Sequence, residues 1–286
     1  MEQLSIEPGK SLGIVSGGGK LPLLIAETAG KRGCRVFAVA HKGETERAIE
    51  KYCHEVKWLR LGQLNKLISF FRKKGVDRVM FAGTITKTRI FFDIRPDTRA
   101  LALWNSMKGH LDDGILRAVA GELEKEGIQV ISYTWLLDHL LFPSGVLTRR
   151  SLSSDQERDV EFGFRLARQI GKLDIGQCLV VKDKTVLAVE AIEGTDETIR
   201  RGGRLGGKGA VVVKICKPGQ DDRFDLPSLG TKTIETMVES GAGVLAAEAG
   251  RSLFFDREEA VKLADRHGLV IVGIDTGEFQ GDGQGQ

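Results

Sequence analysis

The chain has 286 residues, of which 41% are hydrophobic, 28% charged and 6% aromatic, and 36 are glycine. This composition excludes wholesale disorder, and many glycines with few aromatics suit an α/β protein better than an all-β sandwich. The net charge of +3, from 42 basic and 39 acidic residues, is too small for a dedicated nucleic-acid binder.

The first ten residues are polar, with no apolar signal core, and no run approaches the ~20 apolar residues that a membrane-crossing helix needs. Apolar runs then alternate with amphipathic stretches. Strands are expected at 12–16, 35–40, 51–58, 77–82 and 128–131, and helices at 21–31, 64–73 and 112–126. That alternation predicts a doubly wound, Rossmann-like parallel sheet. A Pro/Ser/Gly cluster without periodicity follows. It sets an N-terminal domain at 1–142 and a linker at 143–151. The charge balance changes there too, from +6 over 1–142 to −3 over 143–286.

The second half predicts a mixed α/β domain at 152–277. Its helices are expected at 155–170, 195–201, 231–240 and 256–267. Its strands are expected at 178–181, 186–191, 210–215, 243–247, 253–255 and 270–273, with a hairpin turn at 182–184. The glycine-rich end, 278–286, is expected to be a flexible tail.

Gly17, Gly18 and Gly19 lie between the first strand and helix, followed by Leu21 and Pro22. Such a turn aims backbone N–H groups and a helix N-terminus at an anion, or it serves sterics alone. It is not GxGxxG, because Pro22 stands at the last position. Ala82, Gly83 and Thr84, with Lys87, leave the fourth strand at the same sheet edge and can contact a ligand. The segment 202–208 nearly spells GxxxxGK, but Gly209 replaces the hydroxyl residue and a helix precedes it, so a flexible loop is expected.

Residues 190–225 carry seven carboxylates: Glu190, Glu193, Asp196, Glu197, Asp221, Asp222 and Asp225. Glu190 interrupts an apolar strand, where a carboxylate is costly unless paired or metal-bound. Thr195 and Asp196 sit near a helix start. Asp225 precedes Leu226 and Pro227 in a polar, proline-bounded loop that begins at Lys217, and hard oxygen ligands on such loops suit Mg2+ beside phosphates. The five histidines show no ligand spacing. The four cysteines form no CxxC and read as small buried hydrophobes in a reducing cytoplasm. No GxSxG elbow occurs.

These motifs together carry a resemblance. Segments 171–177 (GKLDIGQ), 189–196 (VEAIEGTD) and 217–227 (KPGQDDRFDLP), with 17–22 (GGGKLP) and Asp112-Asp113 before Leu116-Arg117, are similar to the LpxI-type UDP-2,3-diacylglucosamine pyrophosphatases. The likeness runs from about residue 12 to 273 and departs at 84–87. It implies two α/β domains with substrate held between them, and Mg2+-dependent hydrolysis to UMP and 2,3-diacylglucosamine 1-phosphate.

The residues and the resemblance give one set of site expectations. Asp225, Glu190 and Glu193 are the metal or base candidates, and Lys214 and Lys217 stabilise phosphate charge. Gly17, Gly18, Gly19, Leu21, Pro22, Ala82, Gly83, Thr84, Asp112, Asp113, Gln177, Thr195, Asp196, Gln220 and Arg223 are the substrate-binding candidates. A lipid nucleotide is the expected partner, with peripheral membrane contact and a homodimer as further expectations. Two other readings compete. A dinucleotide oxidoreductase lacks an acid at the end of strand two, where the sequence reads Ala40-His41-Lys42. A nucleotide-sensing module does not need seven carboxylates in one stretch.

Overall fold

The computed structural model describes residues 7–85, 94–107, 112–221, 223–224 and 226–275, with the backbone alone at 112 and 113. The expected tail therefore lies outside the described residues, as does Lys87. The chain forms two compact units. Residues 1–138 and 221–225 make the first, and residues 139–220 and 226–286 the second.

The first unit is built on five parallel strands: β1 (Ser11–Ser16), β2 (Arg35–His41), β3 (Glu55–Leu59), β4 (Arg78–Ala82) and β5 (Gln129–Val130), in the order β3-β2-β1-β4-β5. Val36 to His41 are all buried, the continuous pattern of a strand covered on both faces. Among the described residues the helices here are α1 (Leu21–Lys31), α2 (Leu64–Lys73), α3 (Thr98–Ser106) and α4 (Asp112–Lys125). In α2, Leu64, Leu67, Ile68 and Phe71 recur at helical spacing and are buried together with Val79 and Leu123. The short α3 was not expected from periodicity, because it buries no residue fully; Asp97 caps it by accepting from the Ala100 amide at 3.0 Å. A 3-10 turn, Arg47–Lys51, takes the start of the expected third strand, which begins instead at Glu55.

Phe224, from the far half of the sequence, belongs to this core. It is 5% exposed, and its ring lies 5.4 Å from that of Phe81.

The second unit has a six-stranded mixed sheet: β6 (Gly145–Val146), β7 (Cys178–Lys182), β8 (Thr185–Val189), β9 (Val211–Lys214), β11 (Val244–Glu248) and β13 (Val270–Ile274), ordered β6-β13-β11-β9-β7-β8. Strands β9, β11 and β13 are parallel, and β10 (Ser228–Leu229) pairs with β12 (Leu253–Phe254) in a separate ribbon. Alternate residues of β9 face opposite layers. Val211 and Val213 pack with α5 (Ser154–Lys172), while Val212 packs with α6 (Thr195–Gly206), α7 (Thr231–Ser240) and α8 (Arg257–His267).

Two expectations change here. Strand β8 ends at Val189, so Glu190 stands just past the strand and not within it. Helix α6 continues to Gly206, through the expected flexible loop. Its glycines are packing residues: a Cβ on Gly202 would lie 2.4 Å from Val180 Cβ, and one on Gly203 2.5 Å from Ser240 Oγ. The near-P-loop spelling therefore reflects close helix packing.

The β7–β8 hairpin turns at Asp183 and Lys184, with φ of 50° and 54°, a primed turn that matches strand twist. Buried Asp159 accepts from both turn amides, at 2.9 and 2.8 Å. Asp159→Ala leaves two strained amides without a partner, and the expected cost is about 2–3 kcal/mol. Chemical denaturation of native and variant chains checks this; an unchanged midpoint refutes it.

Candidate functional site

In the first unit the strand order reverses between β1 and β4, the switch point at which open α/β sheets take ligands. The loops leaving these strands are tied together. Gly17 N–H donates to Ala82 O at 2.8 Å, Gly18 N–H to Thr84 O at 2.8 Å, and Thr84 N–H to Gly18 O at 3.1 Å. A Cβ on Gly17 would lie 2.5 Å from Thr84 O, and one on Gly83, where φ is +85°, 2.4 Å from Gly18 O. The glycines are thus required by the close crossing of two backbones. The anion-donor role expected of Gly17 and Gly18 is corrected, since both amides are spent inside the fold.

Pro22 is buried, with its ring at Gly83, and Ala82 is also buried. What remains open is Gly19, with free space where a Cβ would stand, leading to the start of α1 at Leu21, where no side chain caps the helix. Thr84 is exposed at the same place.

Beside this mouth His41 is buried at the end of β2, its Nδ1 2.9 Å from Ser16 O; Thr45 Oγ1 donates to the same carbonyl at 2.6 Å. Burial pushes the imidazole pKa below its usual value, outweighing the Ser16 carbonyl and Glu44. The folded state therefore binds fewer protons than the unfolded chain. Stability is complete above the unfolded histidine value of about 6.5 and declines as the pH falls below it. His41→Gln is expected to flatten that acid-side decline; an equally steep decline in the variant contradicts it.

The 221–225 segment, which carries Asp222 and Asp225, is fixed to this unit by its described residues. The Arg223 guanidinium holds both oxygens of Asp221, at 2.7 to 3.2 Å, and its Nη1 reaches Glu124 of α4 at 2.9 Å. The Arg223 guanidinium holds the Asp221 carboxyl below the usual range, and its own pKa is raised in return. Arg223 is thus a latch, already committed to two carboxylates. Asp222 and Asp225, and the side chains of Asp112 and Asp113, lie outside the described residues.

In the second unit a chain of polar groups runs along the edge where β9 ends. Glu190, 7% exposed, accepts from Gln177 N–H at 3.2 Å and from Thr195 Oγ1 at 2.8 Å. Lys214, 5% exposed, donates to Thr195 Oγ1 at 3.1 Å and to Ser228 O at 3.0 Å. The directions are fixed: the ammonium donates to the hydroxyl, and the hydroxyl donates to the carboxylate. Lys214 makes these two hydrogen bonds and no ion pair among the described residues. Gln177 Oε1 is buried and has no hydrogen-bond partner among the described residues. Cys178, at the start of β7, is pushed up to about 12, by burial first and then by Glu190.

The remaining candidates are engaged elsewhere. Glu193 accepts from Ala191 N–H and pairs with Arg201 at 2.7 Å; its own backbone N–H, then Arg201, hold its carboxyl low. Asp196 pairs with Lys232 at 2.8 Å. Lys217 Nζ lies 2.5 Å from Asp174, and Gln220 Oε1 accepts from Lys217 N–H at 3.1 Å. The structure thus joins Glu190, Gln177, Thr195 and Lys214 in one network, sets Glu193 apart from them, and places 221–225 in the other unit.

Glu248 was not among the expected residues. It is a fully buried carboxylate closing the apolar strand β11, the same signal that marked Glu190.

A metal ligand needs free oxygen lone pairs. Both Glu190 oxygens and both Glu193 oxygens already accept hydrogen bonds, and no trio of His, Cys, Asp or Glu converges among the described residues. Each Glu190 oxygen and Glu193 Oε2 carries a second lone pair beyond these bonds, so Glu190 and Glu193 stand as candidates held in place by protein donors.

Comparison with known proteins matches residues 11–140 to the LpxI N-terminal domain and residues 143–272 to the LpxI C-terminal domain. The chain is 35% identical over 283 residues to the UDP-2,3-diacylglucosamine pyrophosphatase LpxI of Caulobacter vibrioides, covering 94% of this chain and 99% of that one. Among solved structures, the ADP complex of N5-carboxyaminoimidazole ribonucleotide synthetase aligns with a TM-score of 0.30 and 16% identity, over 66% of this chain and 40% of that chain. That likeness is too slight to bear on function.

Proposed function

The chain belongs to the LpxI family, and from that membership we propose how its residues split the pyrophosphate bond of UDP-2,3-diacylglucosamine into UMP and 2,3-diacylglucosamine 1-phosphate. The carrying observation is the 35% identity to a pyrophosphatase of that name over nearly the full length of both chains, with both family domains in order. The enzyme is a hydrolase of lipid A biosynthesis.

Hydrolysis of a pyrophosphate builds negative charge on the phosphoryl oxygens and the leaving group, so catalysis is positioning plus charge neutralisation. Lys214 supports the second task. Its ammonium is held by Thr195 and Ser228 on a buried and therefore low-dielectric edge. Glu190 holds Thr195 in the orientation that accepts from Lys214, and so acts on the cation's placement. The start of α1 at Gly19 and Leu21 offers backbone donors to a nucleotide phosphate. Asp225 is our candidate for ligand to Mg2+ or for orienting the attacking water. Magnesium, when bound, would neutralise pyrophosphate oxygens.

No helix among the described residues is long and apolar enough to cross a membrane. We propose a cytoplasmic enzyme that meets its acylated substrate by peripheral contact with the membrane; a homodimer is a further proposal.

Chelation tests the cofactor. Turnover of UDP-2,3-diacylglucosamine to UMP is expected to stop in excess EDTA and to return with added Mg2+. Full activity in exhaustively chelated buffer overturns the metal assignment and leaves the hydrolase reading standing. A folded chain that releases no UMP with Mg2+ present overturns the hydrolase reading.

A further inference from the structure

We infer that Glu248 is a positioning residue that anchors the turn leading into the Asp221–Asp225 segment, an inference that rests on the hydrolase reading for its activity arm. Strand β11 reads Val-Leu-Ala-Ala-Glu, and all five residues are buried. An apolar residue would close this strand at no desolvation cost, so a carboxylate 1% exposed needs a partner that only an acceptor can serve.

That partner is the backbone. Strand β9 ends at Lys214, and the Ile215 amide still pairs with Gln177 O at 3.0 Å. Beyond it the chain leaves the sheet, and the next two amides have no strand to bond to. Cys216 N–H donates to Glu248 Oε2 at 2.8 Å, and Lys217 N–H to Gln220 Oε1 at 3.1 Å. Each exit amide is thus taken by a side-chain acceptor, which fixes where the turn begins and how it closes. The turn itself is tight: Gly219 has φ +80°, and Gln220 N–H returns to Lys217 O at 3.0 Å. Residue 221 follows directly.

The guanidinium groups near Glu248 hold it loosely by comparison. Arg251 Nη1 lies at 3.4 Å and Arg168 Nη2 at 3.9 Å from Oε1, and both arginines are partly exposed. The short bond is the one to Cys216. Acceptance, and not charge, is therefore the property the turn requires, which separates two substitutions. Glu248→Gln keeps a carbonyl oxygen at nearly the same reach. Glu248→Leu keeps the volume and strands the Cys216 amide.

The test is amide hydrogen exchange on the full-length chain, read by peptide, with steady-state kinetics beside it. In Glu248→Leu, exchange over 216–220 is expected to quicken at least tenfold while α6 and β13 exchange as in the native chain. The kcat is expected to fall at least thirtyfold with KM changed less than threefold. Glu248→Gln is expected to restore the native exchange pattern and kcat within threefold. Unaltered exchange at 216–220 in a folded Glu248→Leu chain overturns the proposal, and so does a Gln variant as impaired as the Leu variant. Should Glu248→Leu fail to fold, Glu248→Met, which also lacks an acceptor oxygen but adapts its shape, is read by exchange alone: quickening at 216–220 supports the anchor, and native protection overturns it. A native chain without hydrolase activity would sink the functional reading, while the exchange arm would still decide the anchor.

Discussion

Asp225→Ala is expected to give a folded chain whose turnover of UDP-2,3-diacylglucosamine falls roughly 10²–10³-fold or more, the scale at which one transition-state contact is lost. The described residues of this segment have anchors of their own. Phe224 is buried against Phe81, and Arg223 ties Asp221 to Glu124. Those contacts hold Asp221, Arg223 and Phe224 in the first unit. Phe224→Ala, by contrast, removes a core ring, and its expected cost is about 3–5 kcal/mol of stability. The two variants should therefore separate, one losing activity with its melting profile kept and the other losing stability. Near-native turnover in Asp225→Ala would sink the assignment.

Lys214→Met is expected to lower kcat/KM roughly 10²-fold or more, with a small change in stability. The reasoning follows the hydrogen bonds. Methionine fills the same channel, and Thr195 continues to donate to Glu190. What disappears is the buried ammonium. Were Lys214 structural, its loss would leave Glu190 less compensated and lower the melting temperature with little change in turnover; that pattern refutes the assignment. Lys214→Arg keeps the charge, but its planar fork does not reproduce a compact ammonium between a hydroxyl and a carbonyl, so partial activity is expected.

The parallel sheet of the first unit was legible because its strands are continuous apolar runs between helices of clear period, and α2 and α7 match their expected spans. Helix α3 was not legible, since it is short and hides none of its residues fully, with Ala100 and Leu103 only partly buried against the core. Glycine was the least reliable sign. Gly17 and Gly83 look like a ligand cradle but serve a backbone crossing, and Gly202 and Gly203 look like a loop but let α6 approach β7 and α7. Local spacing cannot distinguish a glycine that admits a ligand from one that admits another backbone.

Acids in apolar surroundings were a better guide. Glu190 was found that way, and Glu248 carries the same mark at the end of β11. What the sequence could not supply was the partner of each carboxylate. Glu193, Asp196 and Asp221 look alike in a row of acids, yet each is bound to its own cation, Arg201, Lys232 or Arg223. Nor could spacing show that Phe224 leaves the half in which it is encoded and joins the core of the other.

The most direct test of the account is a 31P NMR time course of the full-length chain with UDP-2,3-diacylglucosamine and Mg2+. The expected result is loss of the diphosphate resonances and equal growth of two monophosphate resonances, those of UMP and 2,3-diacylglucosamine 1-phosphate. Persistence of the diphosphate in the presence of folded enzyme, or release of UDP with its pyrophosphate intact, would contradict it.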